Sequence, residues 1–226
     1  MAAFLFEFNS GTDSLVYANQ SSTTIDTELI ESGMTIEQDI VLLVDSSNTP
    51  HIVWRDADTN EINLAVQNGS TWDESILTTD ANGNQFGAVM ADNGSIGLMY
   101  RHDTSGLVTE WLEGAADSWS ATESTVLSSN ETLVDGEASV QLSGSVLEVV
   151  WKDNNSQWRH QFSESGSVTE QSLPSLGWTA LMGSPEFTSD GFLIPGTLVN
   201  TSGSHVLIDS TGTRTAVSYT HLTLPT

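Results

Sequence analysis

The sequence contains no cysteine, and only five lysines and arginines stand against thirty aspartates and glutamates. Without thiols there is no disulfide and no thiolate metal site, so packing must hold the fold, and the redox compartment is not specified. The shortage of cations leaves a formal charge of -25 and a pI near 4.1. Such a charge repels phosphate backbones and anionic lipid, which excludes nucleic acid as a partner. Long apolar runs are missing too. The longest aliphatic stretch, Ile40-Val41-Leu42-Leu43-Val44, is far too short for a membrane span, which argues against direct membrane insertion, and Met1 to Phe8 lacks the basic start of a secretory signal. No glycine is followed two residues later by serine and no Gly-Lys pair occurs, so neither a Gly-x-Ser-x-Gly nucleophile elbow nor a phosphate loop is present.

What the chain does contain is a repeat with a period of about 46 to 51 residues. Its marker is an aromatic, then a basic residue, then an acid: Trp54-Arg55-Asp56, Tyr100-Arg101-His102-Asp103 and Trp151-Lys152-Asp153, with Phe8-Asn9 where an earlier copy belongs. After Trp54 come a polar turn at 57–60, a strand over 62–66, the turn Asn68-Gly69-Ser70 and a strand over 72–77. The same order follows Tyr100 and Trp151. A fourth strand precedes each marker, as at 40–44 and 86–90. In the last copy Pro195 is expected to interrupt the first strand, since proline removes a ladder donor. Turn residues every 8 to 12 positions predict antiparallel meanders, and no stretch carries a helical period with caps.

Burial pattern decides how these meanders pack. In a two-sheet sandwich each strand buries one face and therefore alternates. Here Val41-Leu42-Leu43-Val44, Ile52-Val53-Trp54, Leu98-Met99-Tyr100 and Val149-Val150-Trp151 are apolar on both faces, as sheets stacked between two neighbours require. The expected fold is all-β, a β-propeller fragment of about four and a half four-stranded antiparallel blades. The expected divisions are a partial blade at 1–32, blades at 33–80, 81–130 and 131–176, and a degenerate blade at 177–216. Residues 217–226 abandon the acidic, glycine-punctuated style and reverse-translate to codons resembling a transposase-based sequencing adaptor. They are expected to be an artefact of an assembled metagenomic read, with the native chain running on beyond Ala216 and beginning before Met1.

On these residues the chain resembles secreted microbial β-propellers whose blades read acid, glycine-type turn, Pro-His-Ile-x-Trp, then Gly-x-x-Trp; the best copy runs from Asp45 to Trp72. Asn68-Gly69-Ser70-Thr71-Trp72 is similar to the end of the sialidase Asp-box, with Ala65 and Gln67 in place of its serine and aspartate. Phe86-Gly87 with Asp92-Asn93-Gly94 resembles the opening of an FG-GAP blade but lacks the further aspartates that cage calcium. The resemblance implies blade geometry and carries no site across.

Three of the five basic residues share one repeat position, which makes Trp54, Arg55, Tyr100, Arg101, Trp151 and Lys152 the candidate ligand-binding residues. One reading pairs each cation with Asp56, Asp103 or Asp153 to brace a turn, at about 0 to 1 kcal/mol per exposed pair. The other sets cation and aromatic pairs around one propeller face, suited to an acidic sugar or carboxylate. Asp39, Asp45 and Glu137, on or beside the predicted innermost strands, are the carboxylates to inspect for glycoside hydrolysis, though no catalytic residue is assigned. Asp56, Asp58 and Asn60 echo a calcium loop without its glycine and closing glutamate; no cofactor or metal is expected beyond weak Ca2+ binding there. His51, His102, His160 and His205 form no zinc spacing. Six Asn-x-Ser/Thr sequons, at Asn19, Asn68, Asn93, Asn130, Asn154 and Asn200, favour export.

The expected function is therefore a non-catalytic extracellular or cell-surface propeller for binding or scaffolding, recognising carbohydrate or protein. The alternative is a glycoside hydrolase or sialidase-like enzyme. The charge balance suits a saline setting, marine or halophilic. Because the screening length falls from about 10 Å at 0.1 M to about 3 Å at 1 M salt, the melting temperature should rise with added potassium chloride. A flat or falling curve in differential scanning calorimetry would count against saline adaptation.

Overall fold

The computed structural model describes residues 2–7, 13–20, 24–102, 106–115, 118–128, 138–152, 157–173, 178–181, 186–188, 191–198, 204–209 and 214–217; for the last sheet the backbone alone is described. Among the described residues every regular element is a strand. The first sheet holds β1 (Ala2–Glu7), β2 (Asp13–Gln20) and β3 (Ile25–Met34). The second runs β4 (Ile36–Val44), β5 (Pro50–Asp56), β6 (Glu61–Asn68), β7 (Thr71–Thr78). The third comprises β8 (Ala81–Met90), β9 (Ile96–His102), β10 (Gly106–Ala115) and β11 (Ser118–Ser128). The fourth holds β12 (Ala138–Ser143), β13 (Val146–Lys152), β14 (Gln157–Ser163) and β15 (Val168–Leu173). The fifth is built from β16 (Trp178–Leu181), β17 (Glu186–Thr188), β18 (Gly191–Leu198), β19 (Ser204–Asp209) and β20 (Arg214–Val217).

Every pairing is antiparallel, and in the second, third and fourth sheets each strand lies beside its sequence neighbour. The first strands β4, β8 and β12 touch one another in turn, and β1 touches β4, while the outer strands β7 and β11 also meet. This is the blade arrangement of a β-propeller, with first strands innermost. The turns joining second to third strands, and the connections between sheets, fall on one rim. The turns joining first to second and third to fourth strands fall on the other.

Both faces of a blade are buried, as the doubly apolar segments predict. On β5, Ile52 and Trp54 enter the seam with the first sheet, beside Leu15, Tyr17 and Ile36, and Val53 enters the seam with the third. On β9, Ile96, Leu98 and Tyr100 look back at the second sheet and Met99 looks forward to the fourth. Leu147, Val149 and Trp151 of β13 look back at the third. The three marker aromatics thus occupy equivalent places, each facing the preceding sheet. Indoles add directional bonds to two seams. Trp72 Nε1 donates to Glu28 Oε2 at 2.8 Å, and Trp111 Nε1 donates to the Phe162 carbonyl at 3.1 Å.

One expectation is corrected. Pro195 does not end its strand: Gly191–Leu198 runs straight through it, with Pro195 opposite His205. The interruption falls on the neighbour instead. β17 pairs residues 191–193 and β16 pairs residues 196–198, so the break in that edge lies beside the residue lacking an N–H. Val217 belongs to β20, opposite His205, and residues 218–226 lie outside the described residues.

The third and fourth sheets approach closely at Gly97, where no room is left for a side chain. A methyl group there would stand 2.8 Å from Leu147 Cδ1, 3.1 Å from Val89 Cγ2 and 3.3 Å from Trp111 Cζ3. Gly97→Ala should therefore destabilise the chain by about 1–3 kcal/mol in urea denaturation, the usual cost of overpacking. Pairing it with Leu147→Ala should cost less than the sum of the two single changes, because the second opens the space the first needs.

Candidate functional site

A cleft of 340 Å³ opens between the first and second sheets on the rim that carries the marker turns. The end of β3 supplies Glu31, Ser32 and Gly33. The second sheet supplies Trp54, Asn63 and the β5–β6 turn with Asp56, Asp58, Thr59 and Glu61. Its walls are therefore four carboxylates, an indole edge, an amide and two hydroxyls. Among the described residues nothing cationic lines it.

The turn that forms one wall is fixed from three sides. Asp56 Oδ1 accepts from the Asp58 amide at 2.9 Å, and Asn60 takes a left-handed φ of 58°, which asparagine tolerates. Backwards, the Ala57 amide donates to the Thr35 carbonyl at 2.8 Å. Forwards, the Ala81 amide donates to the Asn60 carbonyl at 2.9 Å. Arg55, only 3% exposed, completes the tie by donating from Nε to the Ala81 carbonyl and from Nη2 to Asn60 Oδ1, both at 2.8 Å.

The six sequence candidates do not gather on one surface. Trp54, Tyr100 and Trp151 are each at most 2% exposed and sit in three successive seams. Trp54 lines the cleft. Arg55 braces the start of the third sheet; the bonds it makes to Asn60 and Ala81 are longer-range than the expected pairing with Asp56. Arg101 is half-buried. The Lys152 backbone closes β13 opposite Gln157, while its side chain, with Asp103 and Asp153, lies outside the described residues.

The other candidates are placed as follows. Asp45 Oδ1 accepts from the Ser47 and Thr49 amides at 2.8 and 2.7 Å, so it shapes the β4–β5 turn. The side chain of Asp39 and all of Glu137 lie outside the described residues. Asn60 Oδ1 of the calcium-like loop faces Arg55, and among the described residues no three His, Asp or Glu side chains converge to hold a metal.

Sequence reasoning missed the partners from β3. Glu28 accepts from Trp72 and, at 3.4 Å, from Gln67 Nε2. Tyr17 meets Trp72 edge-on at 5.1 Å between centroids, and burial followed by the Glu28 charge pushes its phenol upward. Desolvation, followed by its neighbour Glu31, pushes the Glu74 carboxyl of β7 up to about 7. The two glutamates are 43 positions apart, and only the propeller geometry joins them. The next seam holds a buried phenol rather than an activated one. Burial is the main cause pushing Tyr100 up to about 12, where Thr78 Oγ1 donates to its hydroxyl at 3.3 Å. Burial also raises Glu110, which accepts from Ser124 Oγ at 3.1 Å. A second cleft, of 380 Å³, lies on the opposite rim by Asn93, Gly94, Ser95, Glu113 and Gly114, with one carboxylate and no aromatic.

No family model matches the sequence, and no curated protein matches it. Solved structures do resemble the fold. AofleA from Arthrobotrys oligospora superposes with a TM-score of 0.55 at 12% identity, over 82% of this chain and 57% of its own. A mutant of the lectin from Aleuria aurantia, in complex with Fucα1-6GlcNAc, superposes with a TM-score of 0.54 at 12% identity, over 96% of this chain and 77% of its own. The chain thus spans a little over half of the first of these proteins. At such identity the likeness establishes the fold.

The buried placement of Arg55 changes what its replacement should cost. Arg55→Gln leaves the Ala81 carbonyl and Asn60 Oδ1 without a charged donor, and should lower stability by about 1.5–3 kcal/mol rather than the 0 to 1 of an exposed pair. Urea denaturation measures the difference, and a loss below about 0.5 kcal/mol would deny the brace its role.

Proposed function

We propose that the chain is a non-catalytic carbohydrate-recognising propeller of the extracellular space or cell surface, and that the cleft between the first and second sheets is a recognition site. The observation that carries this reading is the composition of that cleft: an indole edge and an amide among carboxylate acceptors, in a volume of 340 Å³. Sugar hydroxyls donate to carboxylates and accept from an amide N–H, and ligand pockets start near about 300 Å³.

Charge selects within that class. Residues 1–54 contain no lysine or arginine, and Arg55 is committed to the neighbouring sheet, so an acidic sugar has no counter-ion in the cleft. The ligand is then a neutral or cationic glycan, which departs from the acidic sugar suggested by the spacing of the basic residues. The disaccharide in the Aleuria aurantia complex is neutral, in keeping with this reading. Exposed sequons at Asn68, the last residue of β6, and at Asn93, in a turn, support the extracellular setting.

The hydrolase alternative has one observation in its favour: Glu31, a wall of the cleft, neighbours a Glu74 carboxyl pushed up to about 7, and a raised carboxyl is what a general acid requires. Retention on immobilised neutral and polyanionic glycans tests both readings. The parent chain should be retained by a neutral glycan. Asp58→Asn with Glu61→Gln should weaken retention about tenfold or more with an unchanged circular dichroism spectrum, as expected for one or two lost hydrogen bonds. No retention on any neutral glycan, or equal retention of the double variant, would sink the proposal. Release of reducing ends from the retained glycan would move the reading to the hydrolase.

A further inference from the structure

The tripeptide Asn-Gly-Ser occurs twice where one strand turns into the next, at Asn68-Gly69-Ser70 and at Asn93-Gly94-Ser95. Asparagine before glycine is open to intramolecular attack, because glycine carries no Cβ to keep its amide nitrogen away from the side-chain carbonyl carbon. By sequence the two sites are equally reactive, and both asparagines are exposed. The fold separates them. We infer that Asn68 is a site of spontaneous deamidation in the folded chain and that Asn93 is protected from the same reaction. The inference does not rest on the recognition reading. A third pair, Asn82-Gly83, is followed by asparagine, and its side chain lies outside the described residues.

The nucleophile is the glycine amide, which must give up its proton. At Gly94 that N–H donates to the Ala91 carbonyl at 2.9 Å, so attack costs a backbone hydrogen bond. The carboxamide beside it is held at both ends. Asn93 Oδ1 accepts from the Ser95 amide at 3.0 Å, and Nδ2 donates to Glu164 Oε1 at 3.2 Å across the seam. Position 68 is not restrained in this way. Among the described residues no backbone carbonyl accepts from the Gly69 amide, and the space beside Gly69 is open. The Asn68 carboxamide makes one bond among them, from Nδ2 to Asp73 Oδ2 at 2.9 Å, and that bond is exposed.

In the reaction the Gly69 nitrogen bonds to Asn68 Cγ, the Cγ–Nδ2 bond breaks, and Nδ2 leaves as ammonia with the proton that Gly69 gave up through solvent. Water then opens the cyclic imide at either carbonyl, which leaves aspartate or isoaspartate at position 68; nothing is oxidised or reduced. Either product exchanges the amide donor facing Asp73 Oδ2 for a carboxylate, so attraction at the end of the β6–β7 hairpin becomes repulsion. Isoaspartate also lengthens the backbone beside a two-residue turn, whose length sets the register of β6 on β7. The sequon loses its acceptor as well. This hairpin turn lies on the rim opposite the cleft, so recognition is untouched.

The test is peptide mapping by mass spectrometry of the unglycosylated 226-residue chain during incubation in mildly alkaline buffer, once folded and once in denaturing urea, following the exchange of amide for acid at each position. In the folded chain Asn68 should convert about tenfold or more faster than Asn93, the rate equivalent of the hydrogen bond that Gly94 must surrender. In urea the two rates should converge, because the tripeptides are the same. Equal rates in the folded chain, or faster conversion at Asn93, would overturn the inference; so would a difference that survives in urea, since the fold would not be its cause. Asn68→Gln, which has to close a larger ring, should stop conversion at position 68 and leave Asn93 unchanged. Asn68→Asp, which carries the charge of the product, should melt roughly 1–3 °C below the parent. An unshifted melting temperature would overturn the effect on the hairpin.

Discussion

A four-stranded meander with apolar side chains on both faces cannot be stable alone, because whichever face it buries leaves the other in water. Stacking between two neighbours removes the conflict, and the rest of this structure follows from that requirement. Strand alternation then assigns each residue to a seam rather than to inside or outside. Trp54 goes back and Val53 goes forward; Tyr100 goes back and Met99 forward. A repeat position consequently means the same seam face in each sheet, which is why the marker keeps an aromatic at that place.

The same requirement explains how a chain of -25 charge uses its few cations and many acids. A polar group drawn into a seam must find its partner there, since water cannot supply one. Arg55 finds the Ala81 carbonyl and Asn60, Glu28 finds the Trp72 indole, and Trp111 finds the Phe162 carbonyl. Acidity on the surface is a matter of screening and solubility; acidity in a seam makes stability a function of pH.

Local pattern was enough to read the fold. Apolar residues on both faces at Val41-Leu42-Leu43-Val44 exclude a sandwich without any knowledge of contacts, and Gly69, at a φ of 65°, marks the two-residue turn between Asn68 and Thr71 as the sequence suggests. The candidate site was only half legible, because adjacency in sequence misleads inside a strand. Arg55 and Asp56 are neighbours on the chain, yet alternation points them to opposite faces, and the arginine reaches residue 81 instead. Glu28 with Trp72 joins positions 44 residues apart. No periodicity within a blade reveals which residues meet across a seam. Pro195 was misread for a related reason: its missing donor is accommodated by the strand beside it.

The two rims differ in how their turns are held, and this bears on where recognition can reside. On the rim opposite the marker, turns are closed mostly by their own side chains: Asp45 accepts from Ser47 and Thr49, Asn93 from Ser95 at 3.0 Å, and Ser163 Oγ from the Ser167 amide at 3.0 Å. One cross-seam bond, Asn93 Nδ2 to Glu164 at 3.2 Å, is exposed. The marker turn at 57–60 has such a bond of its own, from the Asp58 amide to Asp56, and is also tied to Thr35 behind it and Ala81 ahead of it. A turn closed on itself can change sequence without disturbing its neighbours, whereas a turn bonded to two sheets is held in one position by both. Rigid placement of acceptors is what lowers the entropic cost of binding a small ligand.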